Sequence, residues 1–224
     1  QGYGKIRALV TPMLKSLSVL AAQDNATAER FLALGTPPST VTVTGSLKFD
    51  LSIPDNLSQR AAELKTTWQL QGRPIWVAAS THDGEDAVIL EAFKLIQDAF
   101  PNALLLLVPR HPERFDKVAE LISKQGFSMA RRSLKQDVEP SVSVFLGDSI
   151  GELLLWLALA DVAFVGGSLV NVGGHNPLEP AALAVPIVTG LTMFNFQQIT
   201  DTLIEAGALK QGDDSVSLAK IVSD

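Results

Sequence analysis

The most constraining feature of this 224-residue sequence is a series of short, continuously apolar runs separated by helical patterns. Ile75–Ala79, Ala103–Val108 and Val162–Val165 lack the alternation of apolar and polar residues expected of a strand with one face in water. Between them, Glu85–Asp98 and Glu113–Gln125 repeat apolar residues at helical spacing. This pattern predicts an α/β fold, a doubly wound parallel (Rossmann-like) sheet covered by helices on both faces.

Weaker signals continue the alternation of strands and helices to the end of the chain. Two more strands are predicted at Phe127–Arg132 and Val142–Leu146, on either side of a polar loop. The remaining predicted elements are a helix at Gly151–Ala160, a helix at Leu178–Ala184, a strand at Pro186–Thr189, a helix at Gln197–Ala206, a weak strand near Leu209 and a last helix.

The chain is predicted to contain parts of two domains. Residues 58–224 form the sheet domain, and residues 46–57, which include Pro54, form an interdomain linker. We interpret residues 1–45 as the closing elements of a truncated N-terminal domain. Their predicted elements are helices at Lys5–Ser16 and Ala26–Leu34 and strands at Val19–Ala22 and Val41–Thr44.

Composition excludes several classes of function. The chain has no cysteine, so it can form neither disulfides nor a thiolate zinc site. A net charge of −6 argues against non-specific binding of nucleic acid. The richest apolar stretch, Leu153–Val165, is interrupted by Asp161 and is shorter than the roughly 20 residues that a membrane-spanning helix needs. An anionic ligand must therefore be held by local groups, since the molecule as a whole is negative.

All three histidines follow predicted strands. His82, His111 and His175 each come a few residues after one of the three strongest apolar runs. In an open parallel sheet, ligands bind at the edge formed by the carboxyl ends of the strands. We therefore expect the three histidines to converge at that edge.

The same loops carry groups suited to binding an anion. Arg110 stands between Pro109 and His111, and a guanidinium can donate two hydrogen bonds to a phosphate or carboxylate. Glycines in the loop after Val162–Val165 would let the backbone approach a ligand closely. These glycines are Gly166, Gly167, Gly173 and Gly174.

The segment Asn176–Glu179 predicts a helix start, and this supports two interpretations. The free N–H groups of a helix N-terminus attract phosphate, and Glu179 could accept hydrogen bonds from ribose hydroxyls. Alternatively, Asn176 is an N-cap, Pro177 is the first helical residue and Glu179 completes a capping box. Ser149–Glu152 has the same capping-box form.

Other chemistries have weaker sequence support. His82, Asp83 and His111 could serve a metal-dependent hydrolase, but their spacing is not that of zinc ligands. The sequence contains neither G-x-x-x-x-G-K-[ST] nor G-x-G-x-x-G, and Ser168 lacks a G-x-S-x-G setting. Arg131 and Arg132 are interpreted as a solvated strand end.

Five ordered motifs resemble the bacterial 3-deoxy-D-manno-octulosonic acid (Kdo) transferases of lipopolysaccharide synthesis. The motifs are Thr44–Asp50, Val108–Arg114, Gly147–Glu152, Phe164–Ser168 and Gly173–Glu179. The resemblance implies the C-terminal, nucleotide-sugar-binding domain of a GT-B glycosyltransferase, preceded by the last elements of the N-terminal acceptor domain.

The resemblance also implies an activity. Such an enzyme moves Kdo from CMP-Kdo to a lipid A precursor at the cytoplasmic face of the bacterial inner membrane, by an inverting reaction without a catalytic metal or cofactor. In the family the catalytic carboxylate, the acceptor site and any membrane anchor belong to the N-terminal domain. We therefore expect no catalytic residue in this chain, and a soluble fragment that binds the donor without turning it over.

Carried over motif by motif, the resemblance implies a CMP and donor site built from three loops. Lys48, Ser80 and His82 are further residues that could contact the donor. The implied donor-binding residues are Pro109, Arg110, His111, Ile150, Gly151, Glu152, Gly174, Asn176, Pro177, Leu178 and Glu179.

Two other functions remain open from the sequence. A nucleotide-sugar epimerase would share the GT-B architecture, but the Pro-Arg-His-Pro and Gly-Gly-His-Asn-Pro loops fit it less well. A non-catalytic module that binds a nucleotide would use the same loops.

Overall fold

The computed structural model describes residues 6–45 and 51–224 of the chain. It divides into two compact units, Gln1–Leu51 and Ser52–Asp224. The boundary between the units lies inside the segment predicted to be a linker. Lys48, one of the residues expected to contact the donor, lies outside the described residues.

The first unit contains a parallel pair of short strands beside helices. Strands β1 and β2 pair in parallel, with Leu20 opposite Val41. Asp24 caps the second helix because its carboxylate accepts a hydrogen bond from the Thr27 amide at 2.6 Å. The described elements are α1 (Arg7–Lys15), β1 (Leu20–Ala22), α2 (Asn25–Ala33), a 3-10 turn (Pro38–Thr40) and β2 (Val41–Val43).

The second unit is the predicted parallel sheet. Within residues 52–224, all of which are described, seven strands pair in parallel. The strands are β3 (Ile75–Thr81), β4 (Leu104–Pro109), β5 (Met129–Arg131), β6 (Val144–Leu146), β7 (Val162–Val165), β8 (Ile187–Thr189) and β9 (Leu209–Gln211). The helices are α3 (Leu57–Thr67), α4 (Glu85–Ala99), α5 (Phe115–Lys124), α6 (Leu153–Leu157), α7 (Leu178–Ala182), α8 (Gln197–Glu205) and α9 (Ser215–Ser223).

Helices cover both faces of this sheet, which explains the continuously apolar strands. Ile75 and Val77 of β3 pack into a core with α3 and α6, whereas Trp76 and Ala78 pack on the other face with α4, α5 and α9. All seven residues of β3 are buried. Trp156 of α6 is fully buried, as a core residue should be. The predicted doubly wound α/β fold is therefore confirmed.

The strand order reverses at the centre of the sheet. The order is β5-β6-β4-β3-β7-β8-β9, so the chain leaves β3 toward β4 and later returns to the other side of β3 at β7. In open parallel sheets, ligands bind at the carboxyl ends of the strands beside such a reversal. The loops after β3, β4 and β7 are those that carry the three histidines.

Two helices of the sheet domain begin later than the sequence pattern predicts. The helix predicted at Gly151–Ala160 extends over Leu153–Leu157, and it cannot begin at Gly151, whose φ of 83° no right-handed helix accommodates. The helix predicted at Glu113–Gln125 begins as a 3-10 turn at Pro112–Arg114 before α5. No helix among the described residues is long and apolar enough to cross a membrane.

Candidate functional site

The three histidines meet at the carboxyl edge of the sheet, as predicted. The Nε2 atoms of His82 and His175 lie 2.7 Å apart, and the two nearly parallel rings meet end to end with their centroids separated by 5.0 Å. The His111 ring meets His82 edge-on, with a centroid distance of 5.1 Å. Residues 93 positions apart in the sequence are therefore in direct contact at the topological reversal.

A local distortion at the end of β3 brings these loops together. Ser80 adopts a left-handed backbone with φ of 57°, and the pairing of β3 with β4 shifts between Ala79 and Thr81. The Thr81 carbonyl then accepts a hydrogen bond from the Arg110 amide at 3.0 Å. The expected donor contact Ser80 is buried at this turn, directly beneath the loop that carries His82.

The sequence analysis missed the residue that joins the loops after β3 and β7. Glu85, the first residue of α4, is completely buried, and its carboxylate accepts four backbone hydrogen bonds. The donors are the amides of His82 at 2.8 Å, Gly167 at 2.7 Å, Ser168 at 3.0 Å and Leu169 at 2.9 Å. Three of the four donors lie more than 80 residues away in the chain, so no local sequence pattern indicates this role.

The glycines after β7 allow close packing within the fold. A Cβ atom on Gly166 would overlap the backbone of Ser80, and one on Gly173 would overlap the Phe194 ring. The Gly174 amide donates to the Gly167 carbonyl at 2.8 Å, and the Gly167 amide donates to the Glu85 carboxylate at 2.7 Å. That Gly174 contacts the donor stays a prediction.

A buried ion pair lies beneath the site. The Thr81 hydroxyl donates a hydrogen bond to the Asp86 carboxylate at 2.6 Å, and Arg114 forms an ion pair with the same carboxylate. Arg114 also donates to the Thr81 carbonyl at 2.7 Å. Burial raises the pKa of the Asp86 carboxyl, while Thr81 and Arg114 act in the opposite direction. These contacts fix the 3-10 turn after β4 against the end of β3, and they too were not predicted.

Arg110 and Glu179 are the groups at this edge left open for a ligand. Arg110 is exposed, and its guanidinium has no hydrogen bond or ion pair with the described residues. Glu179 is half-buried and likewise has no hydrogen-bond partner among them. Burial raises the pKa of its carboxyl, and the positive charge of Arg110 lowers it, which places the two groups within electrostatic reach.

The capping interpretation of Asn176–Glu179 is only partly right. Asn176 accepts a hydrogen bond from the Leu178 amide at 3.1 Å, but α7 begins at Leu178, so Pro177 precedes the helix instead of starting it. Glu179 closes no capping box, because its side chain bonds to none of the described backbone amides. The carboxylate is therefore available to a ligand.

The loop after β6 holds a separate network of charges. Arg132 donates two hydrogen bonds to Glu152, at 2.9 and 2.7 Å, and Ser149 donates to the same carboxylate at 2.6 Å. The capping box predicted at Ser149–Glu152 is therefore wrong, since Ser149 bonds to the Glu152 side chain. Hydrogen bonds from Arg132 lower the pKa of Glu152, against the opposing effect of burial.

The interpretation of Arg131 and Arg132 as a solvated strand end is also wrong. Arg131 bridges Asp148 and Asp116, each at 2.8 Å, and Arg132 is held by Glu152. Both arginines thus tie strand β5 to the neighbouring loops. The pairings join the end of β5 to α5 and to the loop after β6, over separations of 15 to 20 residues in the chain.

The other residues expected to bind the donor lie on the same edge of the sheet. Pro109 is buried at the end of β4, and His111 is exposed just beyond it. In the loop after β6, the Ile150 side chain is 80% exposed, and the backbone of Gly151 faces open space. Since β6 pairs directly with β4, this loop lies beside the one that carries Arg110.

The arrangement gives no support to a metal-dependent hydrolase. Throughout residues 6–45 and 51–224, no three His, Cys, Asp or Glu side chains are placed to hold a metal ion. Asp83, a ligand in that alternative, instead forms an ion pair with Lys117 at 2.8 Å.

Comparisons with known proteins agree with the motifs. Residues 1–51 match the family described as 3-Deoxy-D-manno-octulosonic-acid transferase (kdotransferase). The chain is 47% identical over 221 residues to 3-deoxy-D-manno-octulosonic acid transferase of Haemophilus influenzae. This alignment covers 98% of this chain and 52% of that protein. The Bordetella pertussis protein of the same name is 41% identical over 78% of this chain and 41% of its own length. The chain thus spans about half the length of the curated relatives it matches.

Comparison with solved structures identifies the kind of domain that the second unit forms. The C-terminal CMP-Kdo binding domain of WaaA from Acinetobacter baumannii aligns with a TM-score of 0.71 and 42% identity, covering 74% of this chain and 86% of that one. A putative UDP-N-acetylglucosamine 2-epimerase from Listeria monocytogenes aligns at a TM-score of 0.53 and 18% identity, over 91% of this chain and 50% of its own, and shares the fold alone. The chain therefore belongs to the 3-deoxy-D-manno-octulosonic acid transferase family, and its parallel sheet is a C-terminal domain of the GT-B type.

Proposed function

We propose that this chain supplies the donor site of an enzyme that transfers Kdo from CMP-Kdo to a lipid A precursor in lipopolysaccharide synthesis. The observation that carries the proposal is that Arg110, after β4, and the half-buried carboxylate of Glu179, after β7, both lie at the carboxyl edge of the sheet without a partner among the described residues. A guanidinium binds phosphate, and a carboxylate accepts hydrogen bonds from ribose hydroxyls. A relative 42% identical to this chain is a CMP-Kdo binding domain.

The chemistry follows from where charge develops. When the sugar leaves the nucleotide, negative charge grows on the phosphate of CMP, and a preorganised cation such as Arg110 stabilises it. Removal of the proton from the acceptor hydroxyl needs a base, which we assign to the part of the enzyme that precedes this sheet domain. We therefore propose that the 224-residue chain binds CMP but does not transfer Kdo by itself, and that it needs no metal or cofactor.

The acceptor and the location belong to the same proposal. The lipid A precursor would be bound through the N-terminal domain, and the full-length enzyme would act at the cytoplasmic face of the inner membrane. A membrane-bound acceptor requires the enzyme to work at that surface. No nucleic acid partner is proposed, because the net charge is −6.

Calorimetric titration of the chain with CMP, UDP and UMP tests the donor site. A clear preference for CMP over both uridine nucleotides is expected. A preference for UDP would favour the epimerase, and equal weak binding of all three would contradict the proposal. Transfer of Kdo to a lipid A precursor by the chain alone would refute the assignment of the base to another part of the enzyme.

A further inference from the structure

The contact between His82 and His175 imposes a condition on their protons. Their Nε2 atoms are 2.7 Å apart. In a hydrogen bond between two imidazole nitrogens, one nitrogen must carry a proton and the other must be bare. In the neutral pair, the donating ring therefore carries its proton on Nε2 and the accepting ring carries its proton on Nδ1. One further proton can be added without breaking the hydrogen bond, on the Nδ1 of the donating ring.

The backbone of each histidine is fixed independently of this contact. The His82 amide donates to the buried carboxylate of Glu85 at 2.8 Å, and the His175 amide donates to the Gly166 carbonyl at 3.1 Å. The Nδ1 atoms of both rings make no hydrogen bond to the described residues, and neither is sealed from solvent. Each ring thus turns one nitrogen toward its partner and the other toward the open edge of the sheet.

The charged groups around the pair keep it neutral when no ligand is bound. Burial, His82, Arg110 and His111 lower the pKa of His175 to about 4. Burial also lowers the pKa of His82, and His111, Arg114 and Arg110 act in the same direction.

One neighbouring group has the opposite effect. The carboxylate of Glu85 on α4 raises the pKa of His82, but burial outweighs it. A second negative charge at the open side of the rings would shift the balance toward the protonated pair.

We propose that the His82–His175 pair takes up one proton when the phosphate of the donor nucleotide binds at Arg110, and holds this proton beside the phosphate during sugar transfer. The inference rests on the proposed function, which supplies the phosphate. The hydrogen bond between the rings survives this uptake, because the added proton goes to Nδ1 and leaves the accepting Nε2 bare. A second proton would occupy that nitrogen and break the contact, so the capacity of the pair is one.

The charge balance explains what the proton would do. In the transfer, the bond between the sugar carbon and the phosphate oxygen breaks, and both electrons stay on the oxygen. The imidazolium and Arg110 together offset the charge that this oxygen gains. The proton comes from solvent when the donor binds and returns to solvent when CMP leaves, so the reaction as a whole consumes none at this pair.

Nitrogen-detected or nitrogen-edited NMR of the histidine side chains tests the proposal without a variant. The chain has three histidines, which simplifies the spectrum. Without ligand, one ring of the pair should be the Nε2–H tautomer and the other the Nδ1–H tautomer, both neutral at pH 7. Saturation with CMP should raise the titration midpoint of one of them by about one unit or more, equivalent to a tenfold change in proton affinity. Midpoints that CMP leaves in place would overturn the proposal.

Calorimetry with His82→Gln provides the matched comparison. As the pH falls from 8 to below the midpoint measured without CMP, the affinity of the unaltered chain should rise relative to that of the variant, by about tenfold for each unit by which CMP raises the midpoint. The phosphate of CMP also titrates in this pH range. Its contribution is the same for both proteins and cancels in the ratio of their affinities for CMP. An identical pH dependence in both would refute proton uptake at the pair while leaving the CMP site intact. If CMP binds to neither protein, both the pair and the proposed donor site are refuted.

Discussion

Replacing Glu85 with glutamine should destabilise the sheet domain although the two side chains have nearly the same shape. Each carboxylate oxygen of Glu85 accepts two backbone hydrogen bonds. Glutamine keeps one oxygen and replaces the other with an NH2 group, which cannot accept and which faces two buried N–H donors. A hydrogen bond to a charged group contributes roughly 1.5–3 kcal/mol, so the loss of two predicts about 3 kcal/mol or more of lost stability.

Tryptophan fluorescence during urea unfolding measures this loss selectively. All three tryptophans, Trp68, Trp76 and Trp156, lie in the unit that contains Glu85, so the signal reports on the sheet domain. The control is Glu120→Gln on α5, where an exposed ion pair with Lys124 predicts a change below about 1 kcal/mol. A Glu85→Gln variant as stable as this control would refute the inference that the buried carboxylate joins the two loops.

Further variants test the site and its support. Arg110→Ala should weaken CMP binding by roughly 1.5–3 kcal/mol in calorimetry without changing the unfolding midpoint, because its guanidinium bonds to no described residue; a shifted midpoint would show a structural role instead. Glu179→Gln should lower CMP affinity by about 1–3 kcal/mol, whereas unchanged affinity would show that the carboxylate does not meet the ribose. Gly166→Ala should cost more stability than Gly147→Ala, since the first Cβ would overlap the Ser80 backbone and the second contacts the Val108 side chain at 3.0 Å; equal losses would refute the close approach of β3 and β7.

The ion pair of Arg132 with Glu152 predicts that stability depends on pH. Arg132 holds the pKa of Glu152 below its usual value, so this pair stabilises the fold above the carboxyl's unfolded pKa, and the contribution is lost as the pH falls through the lower folded value. In urea unfolding at each pH, Glu152→Gln should therefore be less stable than the original chain at pH 7, and the difference should shrink as the pH falls through the folded pKa of Glu152. A constant difference across that range would contradict the pairing.

Much of the fold could be predicted because buried strands and helices have a characteristic local spacing of apolar residues. The runs at Ile75–Ala79 and Val162–Val165 became strands within two residues of their predicted ends. Knowing that these strands are parallel was sufficient to predict that the residues following them would meet, and His82, His111 and His175 do so. The order of the strands was not predicted: β6 enters the sheet between β4 and β5, a choice that depends on packing among all the elements.

The partners of the charged residues were the main failure of the sequence analysis. Arg131 and Arg132 look like an exposed strand end because their carboxylate partners, Asp148 and Glu152, stand in a loop beyond another strand. The role of Glu85 was missed for the same reason, since three of its four hydrogen bonds reach a loop more than 80 residues away. No local pattern encodes such a partner.

The amino-acid sequence alone predicted the kind of fold, the edge of the sheet at which the three histidines meet and the family, since apolar runs and ordered motifs are properties of short segments. The tertiary structure alone decided which polar groups at that edge are occupied and which are free. Glu85 and the glycine turn satisfy each other, whereas Arg110 and Glu179 have no partner among the described residues. Hydrogen bonds and charges act over a few ångströms in space, and only folding brings groups from distant segments within that distance.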